Sequence, residues 1–522
     1  MAGINSLSCG FSLVFLLVLI FTSQSNGGRI LGLFTAPSKS HMIIHTAIAD
    51  AIVERGHDVT VVTSGPIPKT KIDYRHINLN IDGISPAQMA RSLNNGKPSY
   101  SDFMTFVATI TGIANSSIHH PTMKKLMAEE SFDLVILGYF FNEFQLGVAA
   151  HFKCPVVISF MTQPITPLNG YVGNPKEMAY VPNLFFGGVK LSGFFSRVQN
   201  FVSTLVFDEI AYPLISERTQ AALYDANFPA GKYPSFDEMK RNISLVFTNH
   251  HFSQGPIRPN VPAMVEIGGI QIKDKPDPLP EDLKSILDNA KNGVVYFSFG
   301  SNVQGKYLDK QKAKLIFDVL SKLKQTVLFK WDDSPPPGKS ANIFYKTWLP
   351  QDDILAHPNV QLFITHGGAG SVVESQYHGV PMVGIPLFAE QHTNVATMEK
   401  AGFGLAVDFP TISVESLGKA VHEVLTNKIY RNKVQRFSQL YKDRPMTAKQ
   451  TVVFWTEYVL RHHGAPHMQS PAVHMNNWQL ASLDVIGFLI AVLYVVFKVS
   501  KTVILFVCSK CCSKKDKKNK KE

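Results

Sequence analysis

The sequence predicts an α/β protein with two doubly wound domains that face a cleft, followed by one transmembrane helix. Apolar runs alternate with helical stretches on both sides of a proline-rich segment at residues 273–282. Strands that are apolar throughout and separated by helices form parallel sheets covered on both faces. At 522 residues the chain can hold two such domains. A second long apolar run, residues 485–507, can cross a bilayer as a helix.

The chain begins with an apolar run at residues 11–21 that is too short to span a bilayer and is followed by polar residues. This pattern predicts a signal peptide over residues 1–27, although its first residues carry no positive charge. A buried first strand is the alternative. It is less favoured because residues 29–34 already supply a strand.

Residues 28–272 are predicted to form the first, Rossmann-like domain. A strand leads into a polar loop that contains His41, and a helix then runs to Arg55 and stops at Gly56. The apolar, β-branched runs that predict its strands are residues 29–34, 58–63, 132–137 and 155–159.

Residues 273–283 are expected to be a stiff, charged linker that is neither strand nor helix. Residues 284–470 are predicted to form the second Rossmann-like domain, with a return helix at its end. A helix is expected near residues 308–323. The predicted strands are residues 294–299, 326–330, 361–365 and 380–385.

A membrane-proximal segment at residues 471–484, the transmembrane helix at 485–507 and a tail at 508–522 complete the predicted organisation. Lys498 and Lys501 lie near the end of the apolar run, where their ammonium groups can reach the interface. The lysines that follow mark the cytoplasmic side. We therefore expect a single-pass type I protein with luminal domains and membrane lipid as a partner.

The net charge of +11 does not indicate nucleic-acid binding. Seven lysines from Lys510 onward, against Asp516 and Glu522, account for close to half of it. No basic and aromatic stripe is found elsewhere, so nucleic acid is excluded as a partner. The spacing of Lys518 and Lys520 from the end resembles a dilysine retrieval signal, which predicts the endoplasmic reticulum membrane. A chance run of lysines that serves only as an anchor is the alternative.

Cysteine usage and two sequons fit a luminal location. Of five cysteines only Cys154 lies in the predicted luminal part, so no internal disulfide is expected there. Asn115 and Asn242 begin Asn-x-Ser triplets and would accept glycans if exposed.

The ends of three strands in the second domain carry residues that suit a phosphate group. Gly300 and Ser301 follow one strand, and a Gly-rich turn from His366 to Ser371 follows another. Backbone N–H groups of glycines and the N-terminus of a helix attract an anion. Such a turn alone is more often structural, and it matches neither a P-loop nor a dinucleotide fingerprint.

The surroundings of this turn change that interpretation. The run from Trp348 to Asn394 begins Trp-Leu-Pro-Gln and continues through Thr-His-Gly-Gly-Ala-Gly-Ser to Ala-Glu-Gln-His-Thr-Asn. It is similar to the signature of the UDP-glycosyltransferases, and the resemblance extends over nearly the whole chain, with the character of animal and especially insect members. It implies a fold of the GT-B type and a UDP-sugar as co-substrate, with no further cofactor.

The resemblance also implies roles for individual residues. Trp348 would stack on the uracil ring, Gln351 would bond to its edge, and Glu374 would accept from the ribose hydroxyls. Glu390 and Gln391 would bind the sugar. The diphosphate would be held by Ser301, His366, Gly367, Gly368, Gly370 and Ser371.

His41 resembles the catalytic histidine of the family. An imidazole pKa near 6.5 leaves much of the group neutral at pH 7, and a helix N-terminus favours the neutral form. His45, one turn along, is the weaker candidate because it lies deeper in the helix. No Asp-x-Asp pair lies beside the phosphate positions, so we expect inverting transfer without a metal.

The acid that pairs with this histidine in relatives is missing from its usual place. In an ungapped comparison the position is Gly138, and Asp133 lies at the opposite end of the strand. Glu143 is the nearest substitute. Three alternatives follow: Glu143 takes the role, His41 works unassisted, or activity is reduced.

The acceptor pocket is expected between residues 101 and 224, with walls that include Phe140, Phe141 and Phe160. Lipophilic phenols, steroids or toxins suit such a lining and suggest a role in detoxification. The resemblance and an anionic Glu390 favour UDP-glucose over UDP-glucuronate as donor.

A non-catalytic or weakly active membrane binding protein on the same fold is the second hypothesis, motivated by Gly138. A soluble phosphorylase-like enzyme is disfavoured by the signal and anchor. Self-association is compatible with either membrane-bound hypothesis.

Overall fold

A computed structural model describes residues 27–68, 70, 72–81, 100–183, 193–254, 257–300, 303, 305–387 and 391–518. The predicted signal peptide, apart from residue 27, lies outside the described residues. The chain divides into two compact units, and the boundary along the sequence lies between Gln469 and Ser470.

The first sheet of the larger unit has seven parallel strands in the order β3-β2-β1-β4-β5-β6-β7. The order reverses between β1 and β4, which places a crevice at the carboxyl ends of these two strands. The strands are β1 (Arg29–Phe34), β2 (Asp58–Thr63), β3 (Arg75–Asn78), β4 (Leu134–Gly138), β5 (Val156–Phe160), β6 (Ile243–Thr248) and β7 (Met264–Glu266).

The second sheet repeats this topology with six parallel strands in the order β10-β9-β8-β11-β12-β13. Its switch point lies between β8 and β11, at the ends that carry the predicted donor residues. The strands are β8 (Val294–Ser298), β9 (Thr326–Lys330), β10 (Ile343–Lys346), β11 (Val360–Thr365), β12 (Met382–Gly384) and β13 (Gly404–Ala406).

Helices connect the strands and cover both sheets. Those of the larger unit are α1 (Lys39–Glu54), α2 (Tyr100–His119), α3 (Pro121–Glu129), α4 (Leu146–Phe152), α5 (Thr166–Val172), α6 (Phe194–Ser203), α7 (Arg218–Asn227), α8 (Phe236–Arg241), α9 (Glu281–Asp288), α10 (Lys310–Leu320), α11 (Gln351–Leu355), α12 (Ala369–His378), α13 (Gln391–Ala401), α14 (Val414–Thr426), α15 (Lys428–Lys442) and α16 (Ala448–Arg461). A π-helix, Thr204–Glu217, continues α6.

The last helix of this unit returns to the first domain. Ala448, Val452 and Val459 of α16 are buried in the core beneath the first sheet, and α16 packs on α1. Arg55 also donates to Glu457 at 2.8 Å. The return helix that the sequence predicts at the end of the second domain therefore packs in the first.

The predicted elements are confirmed in type, with small differences at their ends. The eight predicted strands correspond to β1, β2, β4, β5, β8, β9, β11 and β12. Five further strands, β3, β6, β7, β10 and β13, complete the sheets. The expected linker is irregular up to its last residues, where α9 begins at Glu281. Both sheets lie within the predicted domains, whose boundaries stay predictions.

The smaller unit, from Ser470 onward, contains a short helix, α17 (Asn477–Leu480), and a long one, α18 (Leu483–Lys518). The segment Leu483–Lys510 is long and apolar enough to cross a membrane, and none of it is buried in the protein. The apolar run predicted at residues 485–507 lies within this helix.

Candidate active site

The Gly-rich turn joins β11 to α12 and is shaped by the His366 imidazole. A Cβ at Gly300 would lie 2.7 Å from this ring, and a Cβ at Gly368 would lie 2.6 Å from its Nε2. Gly367 has a φ of +80°, and a Cβ there would lie 2.3 Å from Val395. These glycines are therefore required by close approach within the protein.

Gly370 differs, because a Cβ there would meet no atom nearer than 3.9 Å. The residue lies at the second position of α12, where backbone N–H groups are not bonded within the helix. The turn thus presents open backbone at a helix N-terminus, which suits a diphosphate.

His366 is uncharged and lacks a hydrogen bond at one ring nitrogen. Burial, and then the charge of Lys330, lower the pKa of His366 to about 4. Its Nδ1 is buried without a partner. A buried polar atom of this kind costs stability unless a ligand or water completes it.

Gln351, Ser371 and Glu374 form a connected group beside the turn. The Gln351 amide donates to Ser371 Oγ at 3.1 Å and to Glu374 Oε2 at 2.7 Å, and its oxygen accepts from the hydroxyl of Tyr296 at 3.2 Å. Burial, and then the charge of Asp352, raise the pKa of Glu374 to about 8. The structure thus brings together two of the residues that the sequence predicts for the nucleoside, Gln351 and Glu374, with Ser371, which it predicts for the diphosphate.

Trp348 is 61% exposed, so one face of its ring is free to stack on a base. The ammonium of Lys330 lies 5.1 Å from the centre of this ring. Lys330 ends β9 and donates to the carbonyl of Gly300 at 3.0 Å. Burial, and then repulsion by Lys39, lower the pKa of Lys330 to about 8.

The remaining predicted donor residues are only partly placed. Gln391 begins α13, is buried, and accepts from the backbone N–H of Leu387 at 3.0 Å. Ser301 and Glu390 lie outside the described residues, so their roles stay predictions.

His41 lies in the first turn of α1, as the sequence predicts, and its ring packs edge-on against Phe140 at 4.4 Å between centroids. Its Nδ1 is buried without a hydrogen-bond partner. Burial lowers the pKa of His41 to about 3. The imidazole is therefore neutral at pH 7, as a general base must be.

Glu143 does not take the place of the missing acid in this structure. Its Oε1 accepts hydrogen bonds from three tyrosine hydroxyls, those of Tyr139 at 2.7 Å, Tyr171 at 3.2 Å and Tyr212. The carboxyl is fully enclosed, and burial raises the pKa of Glu143. The hydrogen bond to His41 that the sequence offers as one alternative is not formed, because the tyrosines hold the carboxylate elsewhere.

A cavity lies beyond the aromatic residues that follow β4. It encloses about 950 Å³ of empty space, its open mouth included, and its wall is mostly apolar. Phe141 lines it, and the Phe140 ring that contacts His41 packs against Phe141 at 5.9 Å. Phe160, the third expected wall residue, is buried against Tyr139 instead.

Comparison with known proteins agrees with this geometry. The model of the family described as UDP-glucoronosyl and UDP-glucosyl transferase matches residues 31–518. The chain belongs to this UDP-glycosyltransferase family.

Relatives match this UDP-glycosyltransferase over nearly its whole length. UDP-glycosyltransferase UGT5 of Dactylopius coccus is 33% identical over 92% of each chain. UDP-glucosyltransferase 2 of the same insect is 32% identical over 97% of this chain and 99% of its own. UDP-glucuronosyltransferase 2B33 of Macaca mulatta is 30% identical over 96% of each chain.

Solved structures place the fold in the GT-B class. A UDP-glucosyltransferase from Polygonum tinctorium superposes with a TM-score of 0.57, at 17% identity, over 84% of this chain and all of its own. UGT2 of Phytolacca americana gives 0.53 at 18% identity, over 84% of this chain and 99% of its own. The predicted fold, family and enzyme class are thus confirmed.

Two further residues beside the Gly-rich turn, Lys330 and Gln271, are not identified by the sequence. Lys330 reads as the last residue of an ordinary strand, and Gln271 as part of the approach to the linker. Both amide atoms of Gln271 are buried without a partner, and its Nε2 lies 3.9 Å from the position of a Cβ at Gly370. Neither lies in a motif, so only the tertiary structure reveals them.

Proposed function

We propose that this UDP-glycosyltransferase transfers a neutral hexose, glucose in preference to glucuronate, to a hydroxyl of a small lipophilic acceptor, with His41 as general base. The observation that carries this proposal is the neutral, unpartnered imidazole of His41 at the opening of α1. Lys39, two residues earlier, is close enough to Lys330 to lower the pKa of that lysine. The first turn of α1, which carries His41, therefore lies near Lys330 of the predicted donor site.

The diphosphate is assigned to the N-terminus of α12, with His366 and Lys330 beside it. The open backbone at Gly370, the free Nδ1 of His366 and the ammonium of Lys330 support this assignment. The ammonium of Lys330 and the partial positive charge of the helix N-terminus can stabilise the diphosphate without a metal ion, so we expect UDP-sugar to be the sole co-substrate.

The chemistry needs one proton acceptor and one leaving group. The acceptor hydroxyl gives its proton to the His41 imidazole while its oxygen attacks the anomeric carbon. The bond from that carbon to the phosphate oxygen breaks, and UDP leaves with the electron pair. Attack from the opposite side inverts the anomeric configuration.

The cavity behind Phe141 supports a lipophilic acceptor, since its wall is mostly apolar. For the donor, the name of the Dactylopius coccus UDP-glucosyltransferase 2 supports glucose. The anionic Glu390 predicted at the sugar disfavours a uronate carboxylate.

We place the chain in the endoplasmic reticulum membrane as a single-pass type I protein, with a role in detoxification. The span at Leu483–Lys510 and the lysines that follow it support this orientation.

A panel of UDP-sugars tests the donor. Microsomes that contain the full chain are incubated with UDP-glucose, UDP-glucuronate or UDP-galactose and a phenol acceptor. We expect the largest kcat/KM with UDP-glucose. A preference for UDP-glucuronate would contradict the assignment, and no transfer with any donor would favour a binding protein on the same fold.

The variant His41→Ala tests the base. We expect kcat to fall by about a hundredfold or more, while UDP binding stays unchanged, because general bases contribute on this scale. His467→Ala, which alters an exposed histidine bonded to Tyr458, is the matched control. Retained turnover in His41→Ala would sink the assignment.

The pH profile gives an independent test. Because burial lowers the pKa of His41 to about 3, its imidazole stays neutral from pH 5 to pH 8. We therefore expect kcat/KM to show no acid limb near pH 6.5. The parent enzyme could instead show an acid limb near pH 6.5 that is absent from a partly active His41 variant. That result would contradict the assignment of a buried, neutral base.

A further inference from the structure

An apolar strip runs along the outer side of α6 and the π-helix that continues it. Among residues 194–215, the exposed positions are all apolar except Arg197 and Gln199. Phe194 is 65% and Phe195 83% exposed. The other members of the strip are Val198, Phe201, Val202, Leu205, Val206, Ile210, Leu214 and Ile215.

The change of helix type keeps these residues on one side. In α6 the apolar positions recur at intervals of three or four residues, as on one face of an α-helix. In the π-helix, where each hydrogen bond reaches one residue further, they recur at intervals of four or five.

Polar bonds on the opposite side fix this orientation. The carboxylate of Asp208 accepts from Thr166 at 2.5 Å and from Asn183 at 2.7 Å, and Glu209 pairs with Lys176 at 2.7 Å. The helix cannot rotate its apolar strip inward without breaking these bonds, so the strip needs an external cover.

The inner side of the same helix lines the cavity behind Phe141. Thr204, Phe207, Asp208 and Tyr212 all contribute to that wall. Ile215 belongs both to the strip and to the cavity lining. The strip and the cavity therefore meet at one edge of the helix.

We propose that the strip lies in the interfacial layer of a lipid bilayer and that lipophilic acceptors enter the cavity from the lipid. A contiguous exposed apolar patch formed by ten side chains marks an interaction site. Along the chain only residues 470–482 separate the larger unit from the span Leu483–Lys510, so a bilayer that holds the span also tethers this unit. A strip with Arg197 as its one exposed charge suits lipid.

Fluorescence quenching tests the contact independently of activity. The full chain, with its native cysteines changed to serine, is placed in nanodiscs, and a fluorophore is attached at Phe195→Cys or Val206→Cys. We expect doxyl-labelled lipids to quench both labels several-fold more than a label at Ile429→Cys, an exposed apolar site on α15. Equal quenching at all sites overturns the proposal. Labels shielded from water but not quenched by lipid would indicate a protein partner and overturn it too.

Kinetics test the entry route. The double variant Phe201→Ser/Leu214→Ser should raise KM for a lipophilic phenol several-fold, with little change in kcat or in KM for the UDP-sugar. Ile429→Ser should change none of these values. An unchanged phenol KM in the double variant would overturn the entry route, whatever the donor proves to be.

A different observation concerns the missing acid at the end of β4. A Cβ at Gly138 would lie 2.9 Å from Nε2 of His45 and 2.9 Å from Cδ1 of Phe34. The His45 ring is fully buried and stacks on Phe34, with centroids 4.6 Å apart. The space that an aspartate would need at position 138 is therefore filled by an imidazole.

Each of the two histidines of α1 has one buried ring nitrogen without a hydrogen-bond partner. His45 Nδ1 pairs with Ser159 Oγ at 3.1 Å, and its Nε2 has no partner. His41 Nδ1 is also buried without one. Residues four apart on a helix are neighbours on its surface, so one water can bridge the rings.

We infer that His45, through such a water, is the positioning residue for His41, in place of a carboxylate. This inference rests on the proposed role of His41 as base. With its proton on Nδ1 toward Ser159, His45 offers the lone pair of Nε2 to the bridge and orients the His41 ring.

Exchange of the two residues tests this inference. Gly138→Asp alone should lose stability and activity because its side chain meets His45. His45→Ala should lower kcat about tenfold without changing KM for UDP-sugar. In His45→Ala/Gly138→Asp, the carboxylate gains the room that His45 leaves, one helical turn from His41, so we expect kcat to recover and the acid limb of the pH profile to move to higher pH.

Outcomes separate a positioning role from a structural one. If His45 only packs the core, His45→Ala loses thermal stability while its kcat stays unchanged. Full kcat in His45→Ala would overturn the inference about His45. If His41→Ala nevertheless loses activity, the proposal that His41 is the general base still stands.

Discussion

Lys330 is a positively charged residue of the predicted donor site that has no carboxylate partner among the described residues. No carboxylate of the described residues lies within ion-pair distance of Lys330, and its ammonium bonds to a backbone carbonyl. We expect Lys330→Met to weaken UDP binding by about tenfold or more, the scale of a charge-assisted bond to phosphate. Calorimetry with UDP measures this effect.

Lys346→Met is the matched control for that change. Lys346 pairs in register with Lys330 on the neighbouring strand, but its ammonium bonds to Asp282 at the surface. Equal losses of UDP affinity in the two variants would show a general effect of charge rather than a phosphate contact.

Glu374 links the site to the pH dependence of stability. Its pKa in the folded chain, about 8, lies above the value of 4.5 for a free glutamate, so the folded state holds a proton that the unfolded state releases. The free energy of unfolding must therefore fall as pH rises from about 4.5 to about 8. Glu374→Gln removes this pH-dependent contribution to the free energy of unfolding. The difference in Tm, variant minus parent, should therefore rise between pH 5 and pH 8. Glu415→Gln, at an exposed carboxylate on α14, is the matched control, and a flat difference for Glu374→Gln would contradict the raised pKa.

At the scale of elements, a substitution at the N-terminus of α12 is expected to affect protein stability and UDP binding in opposite directions. Gly370 lies within the helix with space around it, so Gly370→Ala should raise helix stability by about 0.5–1 kcal/mol. The added methyl group would nevertheless stand where the diphosphate is expected. We predict a higher or unchanged Tm together with weaker UDP binding.

Gly418→Ala in α14 provides the comparison, since a Cβ there also meets nothing within 4 Å. It should raise Tm and leave UDP binding unchanged. Normal UDP affinity in Gly370→Ala would place the diphosphate elsewhere.

The sequence predicts those elements whose signal is local. Continuous apolar runs identify β1, β8 and β11, and all predicted donor residues except Ser301 lie within one motif. β3, with the sequence Arg-His-Ile-Asn, and the three-residue β7 carry too little apolar pattern to be found. Exposed apolar residues in α6 read as pocket lining, because a pattern does not reveal which face lacks a cover.

The contacts that the sequence cannot predict join distant parts of the chain. His45 and Gly138 meet only because β1 and β4 are neighbours in the sheet, and Lys330 meets Trp348 across two strand ends. The predicted partner Glu143 was chosen by distance along the chain, whereas tyrosines from three separate elements determine where its carboxylate lies.

At the scale of the whole molecule, the two sequons report which side of the membrane holds the larger unit. Asn242 is exposed at the end of α8. Asn115 lies within α2, and its side-chain oxygen accepts from Asn227 at 3.2 Å, while Ser117 of the same triplet is fully buried. Because glycans are attached only to accessible luminal sites, we expect modification at Asn242 and not at Asn115.

Expression of the full chain in cells that add N-glycans, followed by endoglycosidase treatment, measures this. The parent should lose the mass of one glycan. Asn242→Gln should abolish that shift, and Asn115→Gln should leave it unchanged. A shift that depends on Asn115 would mean that α2 is modified before it folds. No shift in any variant would contradict the predicted modification at Asn242.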